Sequence, residues 1–235
     1  MIEFLEAFRL AFNLIISLDA NILEIVLLSL KVSLVALVIA CLIGFSLGSF
    51  LAASRFYGRG IILIIINSFM ALPPVVVGLA VYMLLSKSGM FGFLNILYTP
   101  SAMIIAQSII ITPIVLALSR QVIEDLNNEY SEFFKSIKIS KLQIIMTLIW
   151  DARYTLITVA LAGFGRGIAE VGAVIIVGGN INHFTRVMTT SIALETSMGN
   201  LPFAFALGII LLLISVIINS LVMAFNLTTK KYAFG

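Results

Sequence analysis

The chain has little with which to face water. Of its 235 residues only 11% are charged, against roughly 25% in ordinary soluble domains. By contrast 61% are hydrophobic, and mean hydropathy is +1.18. No soluble core of this size absorbs so much apolar surface, so the solvent that suits the chain is a lipid bilayer. A single cysteine, Cys41, excludes an intrachain disulfide and reads as a small packing residue in an apolar run. A single histidine, His183, without a cysteine or second histidine at ligand spacing, gives no metal site and reads as a solvated loop residue. The surplus of 14 basic over 11 acidic residues is too small to imply nucleic acid as a partner. There is no G-x-x-x-x-G-K-[ST] segment, so P-loop binding of ATP is excluded for this chain.

What the chain does have is long apolar runs. Five reach the length an α-helix needs to cross about 30 Å of hydrocarbon: about 24–53, 60–85, 101–119, 155–177 and 203–227. Backbone groups do not go unpaired in lipid, so the fold class is an all-α polytopic membrane protein. In the first residues, Glu3, Glu6, Arg9, Asn13 and Ser17 recur every three or four positions, which predicts an amphipathic interfacial helix over 1–23. A sixth span there would bury three charges, at roughly 2.5 to 3.5 kcal/mol each if central. With Glu3 and Glu6 in place of a basic start, the segment does not read as a cleavable signal. Residues 24–235 then read as one transmembrane domain.

Five spans put the termini on opposite sides, and the side richer in Lys and Arg faces the cytoplasm. The loops after the first and third spans, with the tail, hold Arg55, Arg59, Arg120, Lys135, Lys138, Lys141, Arg153, Lys230 and Lys231. The opposite side holds Arg9, Lys31, Lys87 and Arg186. Nine against four predicts a cytoplasmic C-terminus and an external N-terminus. Residues 120–153 become the largest cytoplasmic element. Their charges interleave with Tyr130, Phe133, Phe134, Ile137 and Leu142, which predicts helix inserted into a groove on a soluble partner, with Glu129, Glu132, Lys135 and Lys138 at the rim. An amphipathic helix lying on the membrane surface is the other reading of the same pattern.

Inside the spans, Arg166 and Glu170 sit one turn apart, where an ion pair forms on one helical face. Such groups either mark a pathway or fix helix packing, and both readings stay open. Gly163 and Gly167, like Gly44 and Gly48, repeat the small-xxx-small spacing that lets helices approach closely. Pro73-Pro74 removes two backbone donors from the second run and predicts a kink or break, with Gly78 a turn beyond. The kink suits either a gate or static packing. Between the last two spans, Gly178, Gly179, Asn180, Asn182, Thr185, Arg186, Thr189 and Thr190 form a polar segment expected to be an external mouth that receives cargo.

Glu132-Phe133-Phe134, Lys138-Ile139-Ser140 and Gln143 resemble the E-A-A-x-x-x-G-A-S-x-x-Q loop of ABC importer permeases, with phenylalanines for both alanines, Lys138 for the glycine and Asp151 for a later proline. A second block, GFGRGIAEVGAVIIVGGN from Gly163 to Asn180, is followed by TRVMTTSIALE from Thr185 to Glu195. With MALPPVVVGLAVYMLLSKSG and TPSAMIIAQSIIITP it resembles the membrane subunit of molybdate and tungstate ABC importers, the tungstate branch most of all. The resemblance covers about 22–213. It implies a type I importer permease fold, a homodimer in the cell's inner membrane, two cytoplasmic ATPase subunits that hold ATP and Mg, and an external oxyanion-binding protein. It further implies that Glu129, Glu132, Phe133, Phe134, Lys135, Ser136, Lys138, Ser140 and Gln143 form the ATPase-coupling loop. Pro73, Pro74, Gly78, Arg166, Glu170 and Gly172 would then line the translocation pathway. The rivals are a self-sufficient secondary transporter or anion channel, and a membrane enzyme. The first calls for internal repeats and several intramembrane carboxylates, where the chain has only Glu170; the second calls for clustered catalytic groups at one depth.

Overall fold

The computed structural model describes residues 8, 9, 12, 13, 16, 17, 20–137 and 139–233, with side chains as far as 224. Most of the expected interfacial helix over 1–23, and Lys138 of the coupling loop, lie outside the described residues. Among the described residues every element longer than one turn is helical: α1 (Ala20–Ala53), α2 (Arg59–Met70), α3 (Pro74–Leu85), α4 (Pro100–Glu129), α5 (Ser131–Ile137), α6 (Lys141–Ile168), α7 (Gly172–Gly178), α8 (Met188–Ser197) and α9 (Leu201–Ala233).

α4 is the central post. One flank packs along α1 and another along α6. Small residues permit that closeness: a methyl group on Gly44 of α1 would lie 2.8 Å from one methyl of Val115, and one on Gly163 of α6 would lie 3.0 Å from the other. One glycine of each small-xxx-small pair therefore grips the same side chain of α4, while Gly48 meets Ser119 and Gly167 meets Ile111. Packing in lipid depends on such close fit because burial gives no hydrophobic gain between helices already in an apolar solvent. The core continues through Ala36, Ala40, Ile111 and Val159. One end closes on Ala52, Ile123, Phe134 and Leu148. The other closes on Val32, Val81, Met103 and Val177, and beside it on Ile25, Phe164, Met188 and Leu207.

The second apolar run, 60–85, is not a straight span. It is two half-helices bent by 99° at Leu72-Pro73. Pro73 and Pro74 supply no N–H to a helical ladder, and Pro74 instead starts α3 at its first turn, where no donor is needed. Each half has 12 residues, about 18 Å, too short to cross alone. Together they cross. Arg59, at the start of α2, bonds Glu124 near the end of α4 (2.7 Å), while Leu85, at the end of α3, shares a core with Ala102 and Met103 near its start. The 22 residues of α4 between Ala102 and Glu124 measure about 33 Å, one hydrocarbon thickness. Among the described residues four helices are long and apolar enough to cross, and α2 with α3 forms a fifth, broken candidate span.

One further expectation is corrected. The fourth run, 155–177, is not one helix: α6 starts at Lys141 and ends at Ile168, and α7 is separate. The stretch 120–153, read as helical, is helical but continuous with the spans on both sides, because α4 extends through Arg120 to Glu129 and α6 already begins at Lys141. Only α5 and its short flanks lie between them. At about 45 and 42 Å, α4 and α6 outrun the bilayer and project as rods.

Candidate functional site

Two helix breaks meet in one half of the bundle. α6 ends at Ile168, residues 169–171 turn, and α7 resumes. A helix break at membrane depth leaves carbonyls and N–H groups that lipid will not satisfy, so protein must. Here side chains do it. Gln107 of α4 donates its Nε2 to the Gly167 carbonyl (3.0 Å), and the Thr189 hydroxyl donates to the Glu170 carbonyl (2.7 Å). The Ala173 N–H donates to Glu170 Oε1 (3.2 Å), and Arg166 Nη1 donates to Glu170 Oε2 (2.7 Å). Glu170 is 3% exposed and uses both oxygens. It is matched by Arg166, whose side chain remains 33% exposed. Gln107 also lines a cavity of about 10 Å³ with Ser29, Ser33 and Thr189, and its Oε1 has no protein partner. That volume is about one water probe.

The other break sits against this one. Gly78 of α3 abuts Ala173 of α7, and a methyl group on Gly172 would come within 2.8 Å of a Val75 methyl. Pro74, Gly78, Arg166, Glu170 and Gly172 are thereby gathered into one structure, with Pro73 exposed at its edge. Gln107 is absent from the residues expected here. It is the amide within the third apolar run, and an amide placed there is a signal that could have found it.

The segment expected to be an open mouth is packed. Gly178 is buried against the sulfur of Met103, and Gly179 (φ 71°) takes a left-handed turn against the Tyr98 ring. Thr185, 1% exposed, donates to the Gly178 carbonyl (2.6 Å) and accepts from the Ile181 N–H (2.9 Å). The Thr190 hydroxyl donates to Asn180 Oδ1 (2.9 Å), and Thr189 and Thr190 are buried. These polar residues satisfy one another at the end of α7, where lone backbone groups need partners. Gly179 and the tip from Ile181 to Phe184 are exposed; His183 there contacts Glu24 Oε2 through Nδ1 (2.7 Å). Arg186 is half-buried and its Nε has no partner among the described residues.

At the opposite end, the expected coupling residues divide in two. Glu129, Glu132, Phe133, Lys135 and Ser136 are exposed, whereas Phe134 turns inward among Ala52, Ile123, Leu148 and Ala152. Phe134 is thus corrected from a partner-facing residue to an anchor. Tyr130 stacks edge-on against it (5.8 Å) and donates its hydroxyl to Asp151 (2.7 Å). The Asp151 carboxylate holds that phenol above its usual pKa, so it remains a donor. Ser140 caps α6: its hydroxyl accepts from the Gln143 N–H, and Gln143 Oε1 accepts from the Ser140 N–H (3.0 Å). Beyond Phe133, the exposed face carries Ile137, Leu142 and Met146. Glu124 joins Arg59 and Arg120 into a network that ties the α1–α2 turn to α4.

Residues 44–231 match the family of binding-protein-dependent transport system inner membrane components, and the chain belongs to that family. It is 42% identical over 217 residues to the tungstate uptake system permease protein TupB of Peptoclostridium acidaminophilum, covering 92% of this chain and 95% of that one. It is 37% identical over 214 residues to TupB of Campylobacter jejuni subsp. jejuni serotype O:2, covering 91% and 90%. A probable anion ABC transporter permease protein of Haloferax volcanii is 35% identical over 205 residues, covering 85% and 88%. The chain is a multi-pass transmembrane permease with the all-helical type I importer fold.

Proposed function

We propose that two copies of this chain form the pathway of an ATP-driven importer that carries an oxyanion, tungstate or the closely similar molybdate, from an external binding protein into the cytoplasm. Two relatives, 42% and 37% identical, are named tungstate uptake permeases, which supports the choice of anion. Two cytoplasmic ATPase subunits hold ATP and magnesium, and this chain binds neither. The N-terminus lies outside and the C-terminus inside. The nine-to-four distribution of basic residues and the five crossings favour that orientation.

One observation carries the reading. Phe133, Ile137, Leu142 and Met146 are 60, 46, 66 and 64% exposed, while Phe134 beside them is 6% exposed. A segment that grips the bundle through one ring and offers four apolar side chains outward is a handle for a soluble partner. Closure of the ATPase pair pushes on α5. The rods α4 and α6 carry that displacement from the handle into the membrane, to the break at 169–171. There α7 moves together with α3, because the two touch at Gly78 and Ala173. Access then passes from outside to inside. Arg166, paired to Glu170 but with an open edge, attracts the dianion transiently without trapping it.

The test is reconstitution of the permease and its ATPase in liposomes. ATP hydrolysis rises on adding oxyanion-loaded binding protein; an unchanged rate overturns the reading. Isothermal titration of the binding protein with tungstate and with molybdate decides between the anions.

A further inference from the structure

Beside the handle, between it and the bundle, a cavity of about 570 Å³ opens at the cytoplasmic end. Its rim is made of hydrogen-bond donors: Arg55, Asn127, Asn128, Ser131 and Lys135. Its floor is apolar, formed by Phe134, Ile139 and Ile144. No carboxylate lines it, although Asp125, Glu129 and Glu132 are close in sequence. Four of the cations at this end divide into two pairs, while Lys141 and Arg153 stand apart from the cavity. Arg59 and Arg120 are both taken by Glu124, whereas Arg55 and Lys135 face the cavity and make no ion pair among the described residues.

The level of the cavity narrows the choice of ligand. Arg55 stands two residues past the end of α1, where the first crossing leaves the apolar layer. Trp150 lies six residues along α6 from Ile144, about 9 Å toward the membrane. It is 69% exposed and carries the Arg153 guanidinium 4.7 Å from its ring centre, and Tyr57 is fully exposed on the α1–α2 turn. Exposed Trp and Tyr with an arginine laid over the ring mark the headgroup layer. A donor-rich rim without acids above an apolar floor, within about 9 Å of that layer, fits an anion with an apolar body.

We propose that this cavity binds the phosphate headgroup of an acidic phospholipid of the cytoplasmic leaflet. Arg55 and Lys135 supply the charge, the Asn127, Asn128 and Ser131 side chains supply further donors, and the glycerol end rests on the Phe134–Ile144 floor. The bound lipid joins the end of α1 to the base of the handle. This rests on the orientation given under Proposed function, which makes this end cytoplasmic.

Native mass spectrometry of the purified permease–ATPase complex tests it, with dioleoyl phosphatidylglycerol and dioleoyl phosphatidylcholine as probes. The wild-type complex retains phosphatidylglycerol in preference to phosphatidylcholine, and millimolar inorganic phosphate does not displace it. Retention falls about fivefold in Arg55→Gln and in Asn127→Asp, and is kept in Arg55→Lys. Equal retention of the two lipids overturns the proposal, and so does equal retention by the variants. Displacement by phosphate also overturns it, since that assigns the cavity to a soluble anion. The headgroup comparison uses the wild type alone and does not depend on how a variant folds. Labelling Arg55→Cys in sealed vesicles with a membrane-impermeant maleimide separates the two readings. Modification only from the cytoplasmic side without a lipid preference removes this proposal alone, and modification from outside removes the orientation with it.

Discussion

A methyl group placed on Gly78 would lie 2.7 Å from the Cα of Ala173, so the half-helices α3 and α7 touch backbone to backbone. The obstacle is main chain, which does not rotate aside as a side-chain tip would. Gly78→Ala therefore forces the two breaks apart, at about 1–3 kcal/mol. The expected outcome is a lower melting temperature of the purified complex and a larger loss of oxyanion uptake in liposomes. Unchanged melting would show that α3 and α7 separate freely.

Glu170 serves two partners, and substitutions divide its roles. Glu170→Gln keeps an oxygen for the Ala173 N–H but removes the charge that matches Arg166. Glu170→Ala removes both, leaving the part-exposed arginine unmatched and the Ala173 N–H without its acceptor, at a cost of about 1–3 kcal/mol. Melting temperatures should fall in the order wild type, Gln, Ala. The double variant Arg166→Met with Glu170→Gln should recover stability relative to Glu170→Ala while uptake stays impaired. Recovery of uptake as well would assign the pair to packing alone.

Gln107→Leu removes the donor to the Gly167 carbonyl and places apolar atoms beside Ser33 and Thr189. Leaving a buried carbonyl short of a partner costs about 1–3 kcal/mol. Hydrogen exchange should then quicken at residues 167–173 and remain unchanged in the middle of α1. Uniform exchange rates at 167–173 in wild type and variant would remove Gln107 from the support of the break.

Phe133 and Phe134 are adjacent and should behave oppositely. Phe133→Ala leaves the melting temperature of the isolated permease unchanged and weakens co-purification of the ATPase. Phe134→Ala empties a core site at about 3–5 kcal/mol and lowers the melting temperature first. Equal loss of ATPase binding with equal stability would contradict the division between anchor and handle.

Much of this was legible in advance. The apolar runs, the break at Pro73-Pro74, the Arg166–Glu170 pair and the small-residue spacings all appear as geometry. Each follows from a local rule: span length, a missing donor, a one-turn separation or the absence of a side chain. The end of α6 at Ile168 was not legible, because no proline marks it; the break survives through partners on α4 and α8 that are remote in sequence. Nor was the packing of Thr185 and Thr190, since a run of threonines and glycines reads equally as an open vestibule or as a loop that satisfies itself.

By itself the sequence determined that this chain is helical, where it crosses the bilayer, and where one crossing must bend, because hydropathy, length and proline chemistry act within a single segment. Only the tertiary structure decided which apolar faces meet protein and which meet lipid. Both surroundings are apolar, so a leucine on one and a leucine on the other look alike in the chain. The same holds for Phe133 and Phe134: composition says that both avoid water, and only the position of Ala52, Ile123 and Leu148 turns one inward and leaves its neighbour exposed.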